Sequence, residues 1–217
     1  MASNVYLDES GDLGWLLDKP YRYGGSSRYL TIAFAVCPSE KKHLLQRIVA
    51  DVYRHTKFNP KLELKGSSLS VSNKCYFAEK VRKLVSMNPD IVLGAITVNK
   101  SKVQQHIRQD ANKLYNYMIR LAVLPVIKDQ PFVNLIRDNK TIKVKSGNSL
   151  IDYLQTVLWF ELHSKTKVVD LPSDSKCVKN LIFIDWINNL VWGRYEDNNT
   201  QAYDILKNVI FSKKLFF

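Results

Sequence analysis

No run of this 217-residue chain stays apolar long enough to cross a bilayer. The longest, residues 29–37 and 181–192, fall short of the ~18–20 residues a crossing needs, and Asp185, Asn188 and Asn189 interrupt the second. The first residues carry no basic segment followed by an apolar one, so no secretory signal is expected. Cysteine is scarce. Cys37, Cys75 and Cys177 are odd in number and far apart, and they read as reduced thiols, small core residues of a cytoplasmic protein. The four histidines show neither a paired zinc spacing nor a link to a nucleophile motif. Glycine-rich loops of the dinucleotide or Walker type are missing, so neither dinucleotide nor ATP is expected. With eight Gly, seven Pro and no repeat or low-complexity stretch, the sequence has no linker at which to divide it. It reads as one domain, residues 1–217, ending in a pair of helices.

Acids are in the minority. Thirty-two Lys and Arg against 20 Asp and Glu give a net charge of +12. Such an excess draws polyanions and strengthens their binding through counterion release. The hydrophobic share, 46%, is ample for a core and argues against disorder.

Hydrophobic periodicity places the elements. Residues 4–8 form a short β-rich run ending in turn residues, and residues 13–28 read as a long loop. Residues 29–36 are a near-continuous apolar run, the mark of a buried strand. Ser39 is positioned to cap a helix whose apolar face is Leu44, Leu45, Ile48, Val49 and Val52. Helices are also expected at 71–87, at 104–127 as one long element bent by Pro125, at 149–163, at 178–195 and at 203–211. Strands are expected at 91–98 and 133–138, with a short one at 168–169. Residues 141–145 alternate and put two lysines on one face. The pattern is an α/β layered fold with a mixed sheet.

Four acids occupy informative positions. Asp8 closes the first strand on the face of Tyr6 and Asn4, Glu63 lies in Glu-x-Lys-Gly, Asp138 closes the strand at 133–138, and Asp185 interrupts an apolar run. Carboxylates suit hard divalent cations, and a pair of ions roughly 3.5–4 Å apart can clamp both oxygens of a phosphodiester displacement. Each acid also has a plain structural reading. Asp8 opens a turn, Asp138 starts one with Asn139, and Asp185 with Asn188 and Asn189 can be the wet face of an amphipathic helix.

The order of motifs adds what periodicity does not supply. Val5-Tyr6-Leu7-Asp8-Glu9-Ser10-Gly11-Asp12-Leu13-Gly14 resembles the opening signature of the family catalogued as domain of unknown function 3800. Glu63-Leu64-Lys65-Gly66-Ser67 resembles its second motif, and Leu135-Ile136-Arg137-Asp138 stands where that family has a strand ending in Asp. Ile184-Asp185-Trp186-Ile187-Asn188, leading to Gly193-Arg194-Tyr195-Glu196, resembles its final helix, with Ile184 and Ile187-Asn188 where small residues are usual. The resemblance implies a ribonuclease H-like fold: a mixed central sheet flanked by helices, with additional helices. It also implies a metal held by Asp8, Asp138, Asp185 and Glu63.

The expectation is therefore a metal-dependent phosphodiesterase acting on DNA or RNA. Asp8, Glu63, Asp138 and Asp185 hold one or two Mg²⁺ or Mn²⁺, Lys65 stabilises charge developing on the phosphate, and Lys140, Lys143 and Lys145 bind the backbone. Trp15, Tyr21 and Tyr23 either stack on unpaired bases or pack locally, packing being favoured. A restriction-type nuclease, with Asp51 before Glu63-x-Lys65, leaves residues 8–12 unexplained. The alternative of a different class is a non-catalytic basic nucleic-acid-binding or accessory module of a mobile element or defence system.

Overall fold

The computed structural model describes residues 2–138, 150–175 and 177–216. The strands are β1 (Ala2–Ser10), β2 (Tyr29–Pro38), β3 (Val92–Asn99), β4 (Phe132–Arg137), β5 (Lys167–Asp170) and β6 (Ile210–Leu215). The helices are α1 (Lys42–Thr56), α2 (Val71–Met87), α3 (Gln105–Arg108), α4 (Ala111–Ile127), α5 (Leu150–Thr156), α6 (Lys179–Glu196) and α7 (Gln201–Leu206). One mixed sheet runs in the order β5-β4-β1-β2-β3-β6. β2 is antiparallel to both of its neighbours, whereas β4 with β1, β5 with β4 and β6 with β3 are parallel.

Alternation along the strands divides the interior in two. Tyr6, Ala33 and Ala35 face a core completed by α1, α2, α6 and α7. Val5, Leu7, Ile32 and Phe34 face a second core under α4 and α5. Burial on both faces is why β2 reads as an unbroken apolar run. Among the described residues, no helix is long and apolar enough to cross a membrane.

Several elements depart from expectation. The helix expected at 203–211 is the shorter α7, ending at Leu206, and after the helices α6 and α7 the chain continues as strand β6 beside β3. The long element at 104–127 is two helices, because the Asp110 carboxylate accepts the Lys113 N–H and caps α4 as a new start. Ser39 does not cap α1. Its hydroxyl donates to the Ala2 carbonyl at 2.9 Å, fastening a short turn to the edge of β1. Cys37 is buried, but Cys177 is exposed and takes no part in the core. Asp185, Asn188 and Asn189 are not a wet face: α6 is covered on every side, and Asn188 is 0% and Asn189 9% exposed.

The loop between β1 and β2 is held by a buried lysine. Lys100, 0% exposed, donates from Nζ to the Asp12 carbonyl at 2.7 Å and the Gly14 carbonyl at 2.8 Å, with the Asp12 carboxylate at 3.3 Å. Trp15 packs between Lys100 and Arg108, and Tyr21 meets Trp192 edge-on. Trp15 and Tyr21 thus pack locally, the reading favoured for these aromatics, whereas Tyr23 is 82% exposed. At the far side of this loop Glu196 accepts from the Tyr29 N–H at 2.9 Å and from the Arg28 guanidinium, so the last motif anchors the start of β2. Lys100→Met leaves those carbonyls without their donor. It is expected to cost about 2 kcal/mol in chemical denaturation, whereas a purely surface lysine would change nothing measurable.

Candidate active site

Asp8 lies near the end of β1 on the face covered by α6, as its spacing from Tyr6 requires. Burial holds its carboxyl well above the usual carboxylate range, and the charges of Asp185 and then Glu9 push the same way, against Lys65. Asp185 comes from α6. Burial raises its carboxyl too, while the Gly66 N–H, donating to Oδ2 at 2.7 Å, and the charge of Lys65 pull it back. Two acids 177 residues apart, counted from the first to the second, thus act on each other at one end of the sheet.

The Glu63-Leu64-Lys65-Gly66 segment is positioned by its backbone. The Tyr53 hydroxyl donates to the Leu62 carbonyl at 2.9 Å and accepts from the Leu64 N–H at 2.9 Å. Trp186 Nε1 donates to the Leu64 carbonyl at 2.7 Å, next to Asp185 in sequence. Leu64 is buried, so alternation turns Glu63 and Lys65 the other way, where they form an ion pair. Gly66 allows the close approach to α6: a Cβ there would lie 2.8 Å from Asn189 Cβ and 3.2 Å from the Asp185 carbonyl. Burial pulls the Lys65 ammonium down, but the hydrogen bond it donates to Glu63 and the charges of Asp185, Glu63 and Asp8 carry it above its ordinary value. Asp51, the acid of the restriction-type alternative, lies on α1 and pairs with Arg54.

Asp138 follows β4, whose last partner on β1 is Leu7 opposite Arg137, so Asp8 and Asp138 leave neighbouring strand ends at the same level. It forms an isolated bridge with Ser173, and its charge acts on Glu9. Glu9, which the sequence reading did not single out, points to the opposite face from Asp8. Its carboxyl is pushed up to about 7, mainly by burial and secondarily by Asp138, while the Tyr115 hydroxyl donates to it at 3.3 Å and opposes the shift. Arg137 is taken up by Asp170 in a two-pronged pair, at 3.1 and 2.7 Å. Lys140, Lys143 and Lys145 lie outside the described residues.

Among the described residues, no three Asp, Glu, His or Cys side chains converge closely enough to hold a metal ion. The donors at the site nevertheless fit a hard divalent cation in kind: carboxylate oxygens from Asp8 and Asp185, partly buried, mutually repelling and opposed chiefly by Lys65, which Glu63 shares.

A raised carboxyl stabilises the fold fully below its unfolded value and loses that contribution as pH climbs through its folded value. For Glu9 the window runs from 4.5 to about 7. In the presence of chelator, the protein is expected to lose about 2–3 kcal/mol across that window. Glu9→Gln flattens the loss, as read by denaturant midpoints against pH.

No protein-family model matches the sequence, and no curated protein matches it. Among solved structures, the chain is similar to one from the PCNA:RNase HII complex of Archaeoglobus fulgidus, with TM-score 0.52 and 14% identity over 92% of this chain and 77% of that one. It is also similar to ribonuclease H2 from Pyrococcus horikoshii OT3, with TM-score 0.49 and 12% identity over 93% and 77%. The mixed six-stranded sheet, its antiparallel β2 and its flanking helices, matched by the first of these structures, make this a ribonuclease H-like fold.

Proposed function

We propose that the chain is a divalent-metal-dependent nuclease acting on DNA or RNA. The observation that carries this reading is the meeting of Asp8 and Asp185, two partly buried carboxylates from β1 and α6, beside Lys65. The order of the sequence motifs supports placing it with the domain-of-unknown-function 3800 family, and the likeness to a ribonuclease HII structure agrees with a nucleic-acid substrate.

Asp8 and Asp185 would hold the cation, with Glu63 and Asp138 as the further acids that the motifs offer. A bound Mg²⁺ or Mn²⁺ supplies charge neutralisation at the phosphate and acidifies water. Lys65 faces the same carboxylates and stabilises charge as it builds on the phosphate. A cavity of about 340 Å³ opens beside Glu63. Tyr53, Phe58 and Ile182 form its apolar wall, and Lys57, Lys61 and Lys179 its basic rim, which suits a base with its phosphates. If a single strand lies there, the double substitution Lys57→Ala, Lys61→Ala makes the dependence of log K on log salt shallower by about 1.4, at ~0.7 per phosphate contact. Fluorescence anisotropy with a labelled oligonucleotide measures the slope.

The deciding experiment incubates the protein with single- and double-stranded DNA and RNA in Mn²⁺, in Mg²⁺ and in chelator. Cleavage of at least one polymer in metal and of none in chelator supports the reading. Four intact polymers, with salt-steep binding that survives chelation, would instead favour the non-catalytic binding module that the +12 charge also suits.

A further inference from the structure

Asn188 follows Asp185 by three residues on α6, one turn along and on the same side of the helix. Helix α6 packs against β1 and β2, the strand carrying Asp8 and its antiparallel neighbour, and the charge of Asp185 acts on Asp8. The Asn188 side chain is 0% exposed, and neither Oδ1 nor Nδ2 has a hydrogen-bond partner. Nearly all buried amides in folded proteins are paired, and an orphan marks a water, an ion or a functional group yet to arrive. A leucine of similar shape would fill the space without that penalty, so packing alone does not account for an amide here. With Asp185 one turn away on the helix, and Asp185 acting on Asp8, an anion is a poor fit for the missing partner. A cation explains both atoms: an amide oxygen is a hard neutral ligand, and an ionised carboxylate accepts from the amide nitrogen.

We propose that Asn188 is an oxygen ligand of the divalent cation at this site, its Oδ1 turned to the ion beside Asp8 and Asp185 and its Nδ2 donating to one of their carboxylates. The inference rests on the metal-dependent reading above. It accounts for a third oxygen donor where a group of three Asp, Glu, His or Cys side chains is not found among the described residues.

The test needs no substrate. Melting temperatures of the wild type, Asn188→Leu and Asn188→Asp are measured in chelator and across a Mn²⁺ titration. Asn188→Leu should melt at or above the wild type in chelator, yet bind Mn²⁺ roughly 10–100-fold more weakly, the range in which loss of a supporting group lowers metal affinity. Asn188→Asp, which adds a third charge, should melt lower in chelator and show a larger Mn²⁺-induced rise than the wild type. The inference is overturned if Asn188→Leu binds Mn²⁺ as the wild type does, which is what an amide holding only a water would give. It is equally overturned if Asn188→Leu melts lower in chelator, which would reveal a structural partner. Should the leucine variant not fold, the aspartate variant decides, and a Mn²⁺ response no greater than wild type sinks the idea. A wild type blind to Mn²⁺ defeats the metal reading of the whole site first, and is thereby told apart from a failure of Asn188 alone.

Discussion

Asp8→Asn is expected to reduce cleavage by on the order of 10³-fold or more while making the metal-free protein more resistant to heat. Both effects have one cause. Asp8 carries its carboxyl into a buried place beside Asp185, where the charged form is disfavoured by burial first and by the neighbouring acid second. Its folded value is raised, so the unfolded chain ionises before the folded one, and the penalty grows as pH rises above the ordinary carboxylate range. Asparagine keeps the shape and removes the charge. The gain in melting temperature should therefore be larger at alkaline than at acidic pH. Activity goes the other way, because a neutral amide cannot offset a cation's charge as a carboxylate does. Such opposition between stability and function is common where an active site concentrates like charges. A variant that loses activity and stability together would mark Asp8 as a structural residue.

Trp186→Ala should destabilise the protein by about 3–5 kcal/mol, lowering the melting temperature by roughly 10 °C at ~2–4 °C per kcal/mol for a chain of this size. Trp186 is 1% exposed, meets Phe77 edge-on at 5.1 Å and stacks on Tyr53 at 6.1 Å. Its truncation opens a cavity among these rings and strips the Leu64 carbonyl of its buried donor. Leu64 lies between Glu63 and Lys65, so the same change loosens the segment that brings Lys65 to the carboxylates. Trp186→Phe keeps most of the volume and loses the hydrogen bond. Its smaller cost in calorimetry would separate packing from anchoring, and a Trp186→Ala cost under about 1 kcal/mol would contradict the packing described.

Much of the sheet was legible because its signals are local. The apolar run of β2 and the short β-rich run of β1 announce themselves within a few residues, and so does the placement of Asp8 near a strand end. Signals that depend on distant partners were not legible. β6 is a short edge strand with Lys213 and Lys214 in it, and it becomes a strand by pairing with β3, more than a hundred residues earlier. Glu9 looked like a turn residue beside Asp8. Its elevation to about 7 depends on burial and on Asp138, which follows β4, more than a hundred residues away in sequence. Asn188 and Asn189 suggest a wet helical face only if one side of α6 meets water, and α6 is enclosed by the sheet, α1 and the segment at Gly66. The pairing of Glu63 with Lys65 was visible as a motif. The route by which Gly66 reaches Asp185 was not, since only the fold shows where a Cβ has no room.

The central claim is that Asp8 and Asp185 together hold a divalent cation. Free Mn²⁺ has a paramagnetic resonance signal that disappears on binding, so titrating Mn²⁺ into the wild type and into Asp8→Asn combined with Asp185→Asn measures that claim directly. The account predicts saturable loss of signal in the wild type and none at the same concentrations in the double variant. Equal binding by both proteins, or none by the wild type, would contradict it.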